Sequence, residues 1–206
     1  MDNKDSRRRV PQFELSAGVN CLDFINTLDD RPTGQPKELL TSYAALVRFG
    51  EDTGILDSAQ ITRLSQHSVD QAQRALRRAI ELREALYHIF SAVVNRKLAP
   101  PEATQTLNHF LRAARDHSQL VERNGRFIWE FADRFSCDVV TWALAQSAAG
   151  LLVSDQLEFV RTCSSETCQW FFLDTSKNHR RRWCNMQLCG NRAKVRRFYD
   201  RQKTSG

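Results

Sequence analysis

Between Asp70 and Lys97 the apolar residues Ala72, Ala75, Ala79, Leu82, Leu86, Ile89 and Val93 recur at alternating steps of three and four. That spacing keeps them on one face of an α-helix. At about 1.5 Å per residue the helix is roughly 40 Å long, enough for the central member of a bundle with neighbours on several sides. As a heptad the same face also suits a dimer seam; its alanine-rich first half and short run favour an intramolecular core.

Shorter helices are expected around it. Leu22-Asp23-Phe24-Ile25-Asn26-Thr27 reads as helical after a turn or short strand that contains Gly18 and Asn20. Thr41 or Ser42 caps a helix ending near Thr53 at Gly54, and Asp57 or Ser58 caps the next, with Ile61, Leu64 and Val69 on one face. Pro100 and Pro101 start a helix to about His117, with Thr106, Leu107, Phe110 and Leu111 facing inward. Asp138 to Glu158 reads as a largely apolar helix. Asp29 to Lys37, with Pro32, Gly34 and Pro36, reads as a loop. A period of two appears after Val121, where Asn124-Gly125 is followed by Phe127, Trp129 and Phe131, the pattern of a hairpin. The expected fold class is mainly α: a helical N-terminal domain with one small β-hairpin over residues 1–158, then a different unit over 159–206.

Composition leaves this picture intact. The 206 residues are 41% hydrophobic with only 8 Gly and 5 Pro, which provides material for a core and excludes wholesale disorder. The longest uncharged stretch, Val139 to Ser154, covers only about 24 Å of a roughly 30 Å hydrocarbon layer, so a buried helix and no membrane are expected. Met1 to Val10 is charged and no apolar block follows it, so the expected compartment is cytoplasmic and reducing, where clustered cysteines are more often metal ligands than disulfides.

Charge changes the picture once it is divided along the chain. The net charge is +6, but from Arg161 onward eleven basic residues face Glu166, Asp174 and Asp200, a balance of +8, and the rest of the chain is slightly acidic. The same segment holds four of the six cysteines. Cys163 and Cys168 are separated by four residues, Cys184 and Cys189 likewise, and fifteen lie between the pairs. Two such thiol pairs suit one Zn(II) in a tetrahedral four-thiolate site. Such a site is closed, hence structural; a zinc hydrolase needs an open coordination position. Trp170 to Leu173 is expected as a strand, Asp174 to His179 as a turn and Arg180 to Trp183 as the returning strand. After Cys189 and Gly190 a helix is expected to about Gln202. On it Val195, Phe198 and Tyr199 share one face, flanked by Arg192, Arg196 and Lys203 on one side and Lys194, Arg197 and Arg201 on the other. The outline is that of a small treble-clef-like zinc finger.

The linked motifs Arg181-Arg182-Trp183-Cys184 and Cys189-Gly190-Asn191-Arg192, within the run from Phe172 to Lys194, resemble the CGNR zinc finger. The resemblance extends over about Arg161 to Lys203; Lys177 and Asn185 stand where that family's pattern has Arg and Ser. In that family the finger follows an all-α ABATE domain, described as a stress-induced transcription regulator, whose start is similar to Leu22 to Thr27. The resemblance implies that Cys163, Cys168, Cys184 and Cys189 are the zinc ligands and that the finger is a DNA-binding module.

Binding four thiolates and one Zn(II) lowers the tail's charge only from +8 to +6, so Arg180, Arg181, Arg182, Arg192, Lys194, Arg196, Arg197 and Arg201 are the expected nucleic-acid contacts. The bland alternative is a solvated basic face. Arg192 could equally serve inside the finger by bonding backbone carbonyls or Asp174. His179 is expected as a turn residue rather than a fifth ligand, and Trp170, Phe172 and Trp183 as core rather than stacking platforms. Cys21 and Cys137 are expected to be small buried hydrophobes, and Asp23 and Asn26 a cap or buried hydrogen-bond pair. The chain has no Gly-rich phosphate loop, nucleophile elbow or His-rich metal motif, so no enzyme is expected. The resulting expectation is a zinc-dependent DNA-binding transcription regulator whose helical domain senses a small-molecule ligand or forms a homodimer. The alternatives are a zinc-stapled RNA-binding or ribosome-associated protein, or a ligand or protein-interaction module.

Overall fold

The computed structural model describes residues 13–196. Six helices build its larger part: α1 (Asn20–Ile25), α2 (Tyr43–Asp52), α3 (Ser58–Leu64), α4 (Val69–Val94), α5 (Pro101–Asp116) and α6 (Val139–Leu152). The helix α4 is the central one, packed against α1, α2, α5 and α6. Its start is fixed by a capping box in which Ser68 and Gln71 satisfy each other's backbone N–H groups. Ala75, Ala79, Leu82, Leu86 and Ile89 are buried, so the heptad face is spent inside the molecule and does not form a dimer seam. The cap of α2 is Ser42 and that of α3 is Asp57, again in a capping box, this time with Gln60; Val69 belongs to α4, not α3.

Two expectations shift at the ends of elements. The α6 helix stops at Leu152, because Ser154 accepts a hydrogen bond from the Gln156 N–H and restarts the chain as a 3₁₀ stretch over Asp155–Phe159. The expected loop after α1 contains a short antiparallel pair, β1 (Leu28–Asp29) with β2 (Lys37–Glu38). Buried Arg83 of α4 holds this segment down by bonding Glu38 at 2.7 Å and Thr27 at 3.2 Å, while Arg31 bonds both carboxylate oxygens of Glu84 at 2.9 Å. Such long-range charge pairing leaves no periodic trace in the sequence.

The hairpin is formed by β3 (Ser118–Arg123) and β4 (Arg126–Phe131), and Asn124 and Gly125 at its tip have φ of 52° and 73°. Both lie in the left-handed region that this two-residue turn requires. Only the base of the hairpin joins the core: the Trp142 indole meets Phe131 at 5.4 Å and stacks on His117 at 4.2 Å. Towards the tip, Phe127 and Trp129 are 68% and 71% exposed.

The last segment departs most from its expected pairing. The strand β6 (Phe171–Leu173) pairs antiparallel with β5 (Val160–Thr162), in register Val160↔Leu173, not with a strand at Arg180 to Trp183. The reason is edge occupancy. One edge of β6 carries β5; on the other, Leu173 N–H donates to the Ala17 carbonyl at 2.8 Å and Phe171 exchanges two bonds with Asn26. No edge remains for the returning segment. Phe171, Phe172 and Leu173 are buried in the same cluster as Phe24, Leu86 and Phe90, so the units expected over 1–158 and 159–206 share one core.

Candidate metal centre and basic face

Each cysteine pair sits on a tight turn. In the first, the Cys163 N–H donates to the Trp170 carbonyl at 2.8 Å, the Ser164 N–H to the Arg182 carbonyl at 2.8 Å and the Cys168 N–H to the Ser165 carbonyl at 3.1 Å. In the second, the side-chain oxygen of Asn185 accepts from Gln187 N–H at 2.8 Å and Leu188 N–H at 3.3 Å, closing a single wide helical turn over Met186–Gly190 that presents Cys189. A serine at this position would make a shorter version of the same cap. Residues 191–196 continue as helix.

The turns bring the four thiols together: their sulfurs all lie within 4.8 Å of one another, and all four cysteines are buried. Cys168 and Cys184 are 3.6 Å apart and Cys184 and Cys189 3.7 Å. Metal–sulfur bonds of about 2.3 Å at tetrahedral angles put neighbouring sulfurs about 3.8 Å apart, so the site fits Zn(II). Among the described residues no histidine or carboxylate joins the four. The crowding is unfavourable without a cation. Hydrogen bonding with neighbouring sulfurs pushes the Cys168 and Cys184 thiols up, burial pushes Cys189 up, and Cys163, bonded by Cys168 and Cys184, is held low. A divalent ion reverses this by favouring all four thiolates. The residues form a structural site for one zinc ion.

Between the pairs the chain turns around Asp174. This buried carboxylate accepts from the Ser176 N–H at 3.0 Å, the Ser176 hydroxyl at 2.6 Å and the Arg181 N–H at 2.8 Å. Burial opposes its charge, but these donors outweigh it and hold the carboxyl below its ordinary range. His179 closes the turn with φ of 47°; its Nδ1 lies 2.9 Å from the Asp174 carbonyl and its ring stacks on Phe159 at 3.9 Å, so it is a turn residue as expected.

The basic residues divide into two groups. Arg181 is half-buried: its guanidinium donates to the carbonyls of Trp183 at 2.8 Å, Ser16 at 3.2 Å and Cys184, and lies 4.6 Å from the Phe172 ring centre. These bonds tie the finger to the segment before α1, an internal task for a residue also expected as a nucleic-acid contact. Arg180, Arg182, Arg192, Lys194 and Arg196 are exposed. Arg192 makes no bond to Asp174, whose oxygens are already occupied. Arg197 and Arg201, with Phe198, Tyr199 and the expected end of the helix, lie outside the described residues.

The aromatic residues are structural. Phe172 is fully buried, Trp170 donates its indole N–H to Asp29 at 2.7 Å, and Phe171 packs on Tyr87 and Phe90 with centres 5.9 and 6.4 Å apart. Asp23 and Asn26 do not pair with each other. Asp23 accepts from the Ala17 N–H at 2.9 Å, and Asn26 gives and takes one bond each with the Phe171 backbone, at 2.9 and 3.0 Å. Two polar residues among the apolar ones of α1 and its C-terminal cap were the available signal; their partners, one about 145 residues away in sequence, were not.

A family model described as "Putative stress-induced transcription regulator" (ABATE) matches residues 18–155, and one for the CGNR zinc finger matches residues 160–202. The junction between them falls in the 3₁₀ stretch that leads into β5. No curated protein matches the chain.

Proposed function

We propose, from the premise that this chain belongs to the ABATE family and carries a CGNR zinc finger, that it is a zinc-dependent DNA-binding transcription regulator acting in the cytoplasm, and not an enzyme. Zinc folds the finger, and the finger presents Arg180, Arg182, Arg192, Lys194 and Arg196 to duplex phosphates, with Arg197 and Arg201 continuing the set along the chain. The observation that carries this reading is that these five cations remain exposed on a zinc-braced scaffold, with Glu166 as the one acidic side chain paired to them among the described residues. Phosphate is the counter-charge such a face accepts. Duplex is favoured over single strands because Phe172 is buried and Trp170 and Trp183 are packed against the core, which leaves no fully exposed stacking platform among the described finger residues.

The helical part receives the signal. Between α2, α3 and the start of α4 lies a cleft of about 580 Å³ lined by Tyr43, Val47, Arg48, His67 and Leu76, a volume of the kind small ligands fill.

A salt titration of duplex binding by the zinc-loaded protein tests the main reading. Neutralising about six phosphates gives a slope of about −5 in log K against log salt. Absence of binding at low salt, or binding indifferent to salt, overturns it; preference for single-stranded RNA in direct competition replaces DNA with RNA.

A further inference from the structure

A second cleft, of about 190 Å³, opens between the first cysteine turn and the helical residues 191–196. One wall is formed by Ser164, Ser165 and Thr167, the last two with their hydroxyls 3.5 Å apart; the other carries Arg192 and Arg196, with Trp183 also in the lining. Both walls are anchored at the metal centre, the first through Cys163 and Cys168 and the second through Cys189. A polar cleft with hydroxyl donors and two guanidinium groups matches a tetrahedral anion, because arginine forks and hydroxyls donate to several of its oxygens at once.

The cleft already handles an anion. Glu166, on the first turn, accepts a 2.9 Å bond from Arg196, although their side chains are 85% and 60% exposed. Of the three acidic residues from Arg161 onward, Asp174 is buried in its turn and Asp200 lies outside the described residues, so Glu166 is the acid that the described finger presents to solvent. The Arg192 guanidinium has no hydrogen-bond or ion-pair partner among the described residues.

We infer that this cleft binds one backbone phosphate of duplex DNA through Arg192 and Arg196, and that Glu166 holds Arg196 in the free protein as an internal competitor for that phosphate. The inference rests on the nucleic-acid reading above and adds to it a specific subsite and a residue that weakens binding. Phosphate displaces Glu166 because the exposed ion pair is weak, whereas a phosphodiester offers two anionic oxygens to both arginines and the hydroxyls.

The test is anisotropy of a labelled mixed-sequence duplex with the full-length zinc-loaded protein, its Glu166→Gln, Arg192→Gln and Arg196→Gln variants and the Glu166→Gln/Arg196→Gln double variant, each checked for one zinc per chain. Arg196→Ala serves as the second variant at that position. Glu166→Gln is expected to tighten binding about three- to fivefold. Arg192→Gln is expected to weaken it about tenfold and lower the salt slope by about one. The gain from Glu166→Gln should shrink to less than twofold when Arg196 is absent, because the competitor then has nothing to hold. If wild-type protein binds with a steep salt slope but Glu166→Gln has no effect, or the same effect with and without Arg196, the subsite is wrong while the functional reading stands. If neither wild type nor Glu166→Gln binds at low salt, both fall together.

Discussion

The helical part and the finger are stabilised by different chemistry. The interior of the first is apolar: Leu82, Leu86, Ile89 and Phe90 of α4 are buried in one cluster with Phe24 and Leu107, and burying each such side chain stabilises by about 1.5–3 kcal/mol. The finger's interior consists of four sulfurs and the Asp174 turn. Its most apolar strand, β6, faces the helices, not an interior of its own. A segment this short cannot build a sufficient core; it borrows one at one side and uses a metal at the other. The comparison shows that burial explains where the finger sits, and ligation explains why it has a shape there.

The comparison is tested hardest by removing the metal. Chelation, or Cys184→Ser, is expected to produce the largest loss, since structural zinc contributes about 10–16 kcal/mol to peptide fingers at neutral pH. Because β6 lies in the shared core, the melting temperature of the whole chain should fall along with loss of duplex binding. A melting curve of the helical part unchanged by chelation would mean that the two parts are energetically separate.

The seam itself comes next. Asn26→Ala leaves the Phe171 N–H and carbonyl without partners in a buried place and is expected to cost about 2–4 kcal/mol in urea unfolding while zinc stoichiometry stays at one per chain. Loss of zinc instead would place this amide in the metal centre's support and blur the distinction.

Asp23 gives a smaller, pH-dependent effect. Burial, opposed by the Ala17 and Ser16 backbone donors, pushes its carboxyl up to about 6. The folded chain therefore holds this proton more tightly than the unfolded one, so the contribution is favourable at low pH and is lost as pH rises from about 4 through 6. Asp23→Asn, with its amide oxygen still able to accept from Ala17, should remove that decline and stabilise the protein by about 1–2 kcal/mol at pH 7. Parallel stability profiles from pH 4 to 8 for the two proteins would contradict it. The smallest effect is expected at the hairpin tip, where Trp129→Ser should change unfolding by less than about 0.5 kcal/mol.

Much of the helical part was legible because helices write themselves locally. The three-four spacing of α4, the cap pairs Thr41/Ser42 and Asp57/Ser58, the Pro100-Pro101 start and the Asn124-Gly125 turn each announce a nearby element, with Ser42 and Asp57 the ones that cap. The zinc ligands were legible too, since thiol spacing is a chemical signature that survives without knowledge of the fold. What stayed hidden depends on distant partners. The pairing of β6 with β5 could not be told from a hairpin with Arg180 to Trp183 until Ala17 and Asn26 were found on its other edge. Arg181 and Arg182 look alike in sequence, yet one is half-buried and bonds three backbone carbonyls and the other faces solvent. Arg83 reads as one more surface charge on an amphipathic helix, although it is buried between Glu38 and Glu84.

The exchange of two hydrogen bonds between Asn26 and Phe171 fixes an angle. With β6 flanked on both edges, the finger is mounted on the helical body like a bracket on a wall, without the swing of a bead on a tether. A displacement of the end of α1 therefore strains β6 directly, because the Asn26 side chain holds the Phe171 backbone by both its N–H and its carbonyl.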